Sequence, residues 1–188
     1  MIEKQIYVIT GGPGFGKTGL VDALRQSGYP CSDEYARELI EVQQRIGGEV
    51  LPWKNPKLFQ QEVLRRRINF FETVPDNTIA FADRGIPDQL AFASYKGFGT
   101  PPILTDCALT YRYAPLVFIT PPWFEIFSND LIRTETFDEA IGIHEAIRNT
   151  YLDLGYELVE LPLLPIDQRT KFLLQTIQKL NPTKHEQT

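Results

Sequence analysis

Residues 6–24 constrain this chain more than any other stretch. They open with Ile6-Tyr-Val-Ile-Thr10, pass through Gly11-Gly-Pro-Gly-Phe-Gly16-Lys17-Thr18, and end in Gly19-Leu-Val-Asp-Ala-Leu24. The apolar, β-branched opening suits a strand buried on both faces. Leu20, Val21 and Leu24 recur at helical spacing. Between them stands Gly-x-x-x-x-Gly-Lys-Thr, in the strand–loop–helix setting that gives this pattern its meaning as a phosphate-binding loop. A triphosphate carries several negative charges and needs many donors at once. Successive backbone N–H groups in a tight loop form a nest, and the following helix adds the positive end of its dipole. The expected nucleotide contacts are Gly12, Pro13, Gly14, Phe15, Gly16, Lys17, Thr18 and Gly19. Lys17 is expected to face solvent in the empty loop and to place its charge near the β- and γ-phosphates. Thr18 offers a hydroxyl to Mg²⁺, which keeps phosphate and water as most of its other ligands.

A chain of 188 residues fits one α/β domain, taken here as residues 1–180 with a polar tail at 181–188. The formal charge is −5, with acids and bases interspersed. That balance argues against nonspecific nucleic-acid binding, which depends on neutralising phosphates. Cys31 and Cys107 lack metal spacing and read as reduced thiols of a cytoplasmic protein. The first strand begins within a few residues of Met1, so no signal peptide is expected. No apolar run is long enough to span a bilayer.

Along the chain, strands are expected at 6–10, 29–32, 78–82, 116–119 and 156–160. Pro30 weakens the second, since it cannot donate to a ladder. Helical patterns occupy 33–46, 57–73, 87–95, 104–113, 137–154 and 166–180. Strands alternating with helices imply a five-stranded, mainly parallel sheet with helices on both faces. Ligands in such sheets bind beyond the carboxyl ends of the strands. The residues just after each strand are therefore the candidates.

Asp83 ends the third strand, where a carboxylate can organise Mg²⁺ directly or through water. Alternatively it caps the next helix. Arg84 either grips phosphate oxygens with its fork of donors or pairs with Asp83 or Asp88. Glu34 follows the second strand and can orient or deprotonate an acceptor hydroxyl. Arg37, one turn on, can clamp an anionic acceptor. The competing reading is a surface ion pair between the two. Arg133 lies in the polar segment Asp130-Leu-Ile-Arg133-Thr-Glu135, where a mobile lid would neutralise charge on a transferring phosphoryl group. A solvated turn is the competing reading, and Arg112 and Arg148 are the other lid candidates. Arg65-Arg66-Arg67 reads as a solvated helix face rather than a nucleic-acid patch. His144 and His185 lack ligand partners at metal spacing. Trp53 and Trp123 pack either over an acceptor pocket or in the core.

The set Gly-Gly-Pro-Gly-Phe-Gly-Lys-Thr (11–18), Asp-Glu-Tyr-Ala-Arg (33–37), Ala-Asp-Arg-Gly-Ile-Pro-Asp (82–88), Pro-Pro-Trp (121–123), Asn-Asp-Leu-Ile-Arg (129–133) and Leu-Gly-Tyr-Glu-Leu-Val (154–159) occurs in that order. Together these motifs resemble the AAA-type predicted ATPase family that includes the ribosylnicotinamide kinase domain of bifunctional NAD-biosynthesis regulators. The resemblance covers nearly the whole chain. It implies a three-layer P-loop NTPase fold of the small-kinase type. It also implies that Asp83 and Arg84 serve metal and phosphate and that Arg133 is the lid arginine. Asp88 is expected among the acceptor contacts. Leu163, Leu164 and Pro165 fall where the nucleotide base is cupped in similar kinases. That loop has no carboxylate or amide to accept from guanine, which favours ATP over GTP. The expected function is Mg²⁺-dependent transfer of the γ-phosphoryl group of ATP to a hydroxyl of a small, nucleoside-like molecule. The alternative is a nucleotide-binding switch or regulatory ATPase without a small acceptor.

Overall fold

A computed structural model describes residues 4–97, 99, 101–128 and 135–180. Arg133, the polar tail at 181–188 and most of the expected lid lie outside the described residues. The order of elements is β1 (Ile6–Gly11), α1 (Lys17–Gln26), α2 (Tyr35–Ile46), α3 (Pro56–Thr73), β2 (Ala80–Asp83), α4 (Ile86–Tyr95), α5 (Pro102–Thr110), β3 (Leu116–Thr120), α6 (Phe137–Asp153), β4 (Glu157–Glu160) and α7 (Ile166–Leu180). The four strands are parallel and stand in the order β2-β1-β3-β4. Chain connections leave β1 in one direction and arrive at β3 from the other side. The phosphate-binding loop therefore opens at the reversal point, where open α/β sheets bind ligands.

Four strands form where five are expected. The stretch 29–32 contributes only an isolated bridge, Cys31 to Phe81. The Phe81 N–H donates to the Pro30 carbonyl and the Ser32 N–H to the Phe81 carbonyl, both at 2.9 Å. Pro30 has no N–H with which to continue the ladder, so the pairing stops there. This edge still extends the sheet beyond β2 and delivers Asp33 and Glu34 to the carboxyl ends.

The period of two along each strand splits the core. Ile6 and Val8 of β1 face a layer built from α4, α5 and α6 through Ile86, Leu104, Ile143 and Tyr151. Tyr7 and Ile9 face α1 and α7 through Leu20, Leu24, Leu173 and Ile177. Helices thus cover both faces, which explains why β1 and β3 are buried at every position rather than alternating. Leu64 ties α3 into the first of these layers, whereas α2 packs on α3 through a small separate cluster of Leu39, Phe59 and Val63. Among the described residues no helix is long and apolar enough to cross a membrane.

Candidate nucleotide and acceptor sites

The loop after β1 takes its shape from backbone that only glycine adopts easily. Gly14 and Gly16 have φ of 79° and 74°. A Cβ on Gly14 would lie 2.6 Å from the Phe127 ring, and one on Gly16 would lie 2.7 Å from Ile126. Gly16 is the N-cap of α1 and has no side chain to cap it, so the first N–H groups of the helix stay available to an anion. Lys17 is buried, not solvent-facing as the sequence suggests. Its Nζ donates to the carbonyls of Gly12 at 2.6 Å and Gly11 at 3.2 Å. The ammonium is therefore folded back across its own loop, held over the nest by the carbonyls that precede it. Phe15 is fully buried and packs against Phe127, Phe137 and His144. It anchors the loop and presents only its backbone to a ligand. His144 lies in that anchor, and burial holds its imidazole below the ordinary value.

The strand β2 ends in Asp83, which is 4% exposed. Its Oδ1 is buried with no hydrogen-bond partner among the described residues. Burial, and then the Glu34 carboxylate, push its pKa up to about 7 against the pull of Lys17 and Arg84. Asp83 does not cap α4: the N-cap is Gly85, and its N–H donates to Asp88 Oδ2 at 2.8 Å. Asp83 and Thr18 line one cavity of about 380 Å³, together with Asp22, Ser32, Glu34 and Arg37. An idle carboxylate oxygen on one wall residue and a threonine on the same wall suit a hard divalent cation completed by phosphate and water. Among the described residues no cluster of three carboxylates, histidines or cysteines could hold a metal unaided.

Arg84 turns the chain out of β2 with a left-handed φ of 65°. Its guanidinium is buried and donates from Nη1 to the Gly11 carbonyl and to Asp88 Oδ1, each at 3.0 Å. Its Nε lies 3.5 Å from Glu34 Oε1. Burial alone would lower its pKa, but Asp88, Glu34 and Asp83 outweigh that and hold it above the ordinary value. Arg84 thus ties the phosphate-binding loop to α4 and to Glu34 at once.

Asp88 corrects the sequence reading. It is fully buried, and its two oxygens accept from Thr10 Oγ1 at 2.5 Å, Arg84 Nη1 at 3.0 Å, Tyr151 OH at 2.6 Å and the Gly85 N–H at 2.8 Å. Burial favours its neutral form, yet Arg84, Arg67 and these bonds hold its pKa below the ordinary value. Four donors exhaust such a carboxylate. Asp88 is a structural hub and has no face for an acceptor.

Glu34 is the N-cap of α2, and Arg37 follows in its first turn. Both line the cavity shared by Thr18 and Asp83 and a second one of about 460 Å³. This second cavity lies between α2, α3 and α4 and reaches Pro13 of the loop. Its walls include Trp53, Phe59, Val63 and Phe92. Trp53 is 60% exposed, so it borders the cavity rather than the core. Arg37 also pairs with Glu41 at 3.0 Å.

Two arginines escaped the sequence reading. Arg65 and Arg66 are held by Glu62 on the surface as expected, but Arg67 is buried and lines the larger cavity. The helical period explains it: positions 60, 63 and 67 share one face of α3, whereas 65 and 66 point away. Arg169 of α7 is buried as well. It donates from Nη1 to the Gly16 carbonyl at 3.1 Å, and its guanidinium lies 5.8 Å from the Trp123 ring centre. It clamps the loop from the side of Leu163, Leu164 and Pro165, whose exposed neighbour Ile166 packs against Gly19 of α1. The signal for Arg169 was only its place one turn into the last helix. Arg112, a lid alternative, instead donates to the Leu154 carbonyl and stacks on Tyr156, just before β3. That is the end of the sheet opposite the loop.

The AAA domain family matches residues 6–169. The chain belongs to this family. No curated protein matches it by sequence. The fold recurs in solved structures of NadR protein in complex with NR (18% identity, TM-score 0.65), where this chain is covered to 99% and NadR to 54%. The chain thus spans about half of that protein. It recurs also in deoxyadenosine kinase from M. mycoides (11% identity, TM-score 0.64, 93% of this chain and 99% of that one). Thymidylate kinase from Candida albicans is similar (16% identity, TM-score 0.63, 95% and 93%). At these identities the likeness establishes the fold: a three-layer P-loop kinase fold around a parallel sheet.

Proposed function

We propose that this protein is a Mg²⁺-dependent kinase that transfers the γ-phosphoryl group of ATP to a hydroxyl of a small molecule. One observation carries the reading. A cavity of about 460 Å³, large enough for a metabolite, opens beside Pro13 of the phosphate-binding loop and shares Glu34 and Arg37 with the metal-side cavity. A small-molecule kinase requires such a cavity next to its phosphates, whereas a nucleotide switch does not. Structures of the same fold that are kinases for nucleosides, nucleotides and shikimate support the reading.

In this reading the nest of residues 12–19 cradles the phosphates, and Lys17 needs only a small swing from its carbonyls to reach the β- and γ-phosphates. Thr18 and Asp83 would hold Mg²⁺, which supplies charge neutralisation on the phosphate oxygens. Glu34 orients the acceptor hydroxyl and takes its proton. The acceptor oxygen forms a bond to the γ-phosphorus as the bond to the β–γ bridging oxygen breaks, and ADP leaves. The exposed apolar side chains of Leu163, Leu164 and Ile126 suit the face of a base, and the lack of a carboxylate or amide at 162–165 favours adenine.

Calorimetry of ATP with Mg²⁺, followed by ADP formation with and without a pool of small metabolites, tests this. Slow turnover alone and marked acceleration by the pool are expected. Tight nucleotide binding with a rate indifferent to the pool would assign the protein to the switch or regulatory ATPase class instead.

A further inference from the structure

Arg67 is the least explained charge in the molecule. It is 5% exposed, and its Nε and Nη1 are buried with no hydrogen-bond partner among the described residues. A guanidinium cannot shed its charge to escape such a site. Removing it from water without pairing is costly. Asp88 attracts it through space, but both oxygens of Asp88 are already taken by other donors. Arg67 lines the larger cavity.

The surroundings point the same way. Four cations line this cavity (Arg37, Arg67, Arg84 and Lys96) against two carboxylates (Glu34 and Glu135). Arg84 is further paired with Asp88 and Arg37 with Glu41, so Arg67 is the lining guanidinium with idle donors. Its charge is set among apolar walls. Gln89 adds a second idle group beside Arg67. Its Nε2 donates to the Gln60 carbonyl at 3.0 Å and to Gln60 Oε1 at 2.7 Å, which fixes the orientation of the amide. Its Oε1 is then left buried without a donor. Gln60, Gln89 and Arg67 all line the cavity.

We propose that the acceptor carries an oxyanion, a phosphate or a carboxylate separate from the hydroxyl that is phosphorylated, and that Arg67 binds it while Gln89 Oε1 accepts from a neighbouring donor on the same compound. This rests on the kinase reading above and narrows its substrate class from hydroxyl compounds in general to anionic ones. Either two-oxygen edge of a guanidinium, Nε with Nη2 or Nη1 with Nη2, contains one of the idle donors of Arg67. The fork matches the spacing of two oxygens on one phosphorus or carbon. Glu34 and Asp83, at the other border of the cavity pair, repel an anion and so dictate which end of the acceptor enters first.

The test uses the full chain loaded with ADP and Mg²⁺, so that the phosphate nest is filled. Thermal unfolding is followed against inorganic phosphate and, separately, acetate, at constant ionic strength. One of the two is expected to raise the melting temperature of the unmutated protein at millimolar concentration, by a few degrees, and to do nothing for Arg67→Met. Stabilisation by phosphate points to a phosphoryl-bearing acceptor, and by acetate to a hydroxy acid. Without any anion, Arg67→Met should melt at or above the unmutated protein, because it removes a charge held in place for a ligand. Equal stabilisation of both proteins, no stabilisation of either, or an Arg67→Met protein that melts well below the parent would each overturn the proposal; the last would make Arg67 a structural partner of Asp88. Failure of the kinase reading shows differently, in the unmutated protein, as ADP formation indifferent to the metabolite pool or as absent ATP affinity, and Arg67→Met should leave ATP affinity within about twofold.

Discussion

Asp83 and Asp88 sit five residues apart, both buried, and the fold treats them in opposite ways. Asp88 is saturated by four donors and stays ionised, whereas Asp83 has an idle oxygen and a pKa pushed up to about 7 by burial and Glu34. Between the ordinary carboxylate value of 3.8 and about 7, the folded protein holds a proton on Asp83 that the unfolded chain has released. Stability contributed by that proton is present at low pH, falls as pH rises through this window, and levels off above it. Melting temperatures taken from pH 4.5 to 8 should show this decline in the unmutated protein and a flatter profile in Asp83→Asn. A metal bound there, as proposed, must displace the same proton. Affinity for Mg²⁺ with ATP should therefore rise up to about tenfold per pH unit below 7 and then level, while ATP without Mg²⁺ changes little. Calorimetry of Asp83→Asn that lost metal-dependent and metal-free binding equally would contradict this role. Asp88→Ala should instead fail structurally. It strands the buried Arg84 guanidinium, at a cost of about 3–5 kcal/mol, measurable as a fall in the denaturation midpoint.

At the scale of elements, the strand–loop–helix unit around the phosphate-binding loop was legible because its pattern is local. Strand, glycines, Lys17, Thr18 and helix are contiguous in the sequence. Gly16→Ala tests that logic. The left-handed φ of 74° costs an alanine about 1–2 kcal/mol, and a Cβ would push Ile126 away. A lower melting temperature is expected, with a larger loss of ATP affinity, since the same strain turns the first N–H groups of α1 off target. The features that sequence reading missed all depend on partners far along the chain. Residues 29–32 look like a strand, but Pro30 limits them to one bridge. Arg67 looks like its neighbours, and only the packing of α3 against α2 and α4 turns it inward. Asp88 looks available because nothing in its own helix reveals Thr10, 78 residues earlier, or Tyr151, 63 residues later. Lys17 was placed in the right loop but with the wrong exposure, since its carbonyl partners become apparent only when the loop is folded. Arg169 is the clearest case of a contact invisible to local pattern, 153 residues from the carbonyl it holds. Arg169→Met should weaken ATP binding several-fold by loosening Gly16, with the fold retained, as calorimetry and a melting curve together would show.

For the molecule as a whole, the two cavities meet at Glu34 and Arg37, at the start of the least embedded helix. Among the residues of α2 only Leu39 is buried, and the helix packs chiefly on α3 through the cluster of Leu39, Phe59 and Val63, apart from the two cores on the sheet. Local opening follows the amount of buried apolar contact, so α2 should open at far lower free energy than β1 or β3. Hydrogen exchange of the free protein should show α2 amides exchanging fastest among the helices that line the cavities. Ligands bound at the meeting point add stability only to states in which α2 is in place, by RT ln(1 + [L]/Kd), about 2.7 kcal/mol at a hundred times Kd. If opening of α2 requires release of ATP and Mg²⁺, exchange there should slow by about a hundredfold at that concentration. Exchange in β1, governed by global unfolding, should slow by a comparable factor from a much slower start. Nucleotide bound only through the loop, without engagement of Glu34 and Arg37, would protect β1 and α1 and leave α2 unchanged. That pattern would separate the metal side from the acceptor side and break the link between them that the shared residues imply.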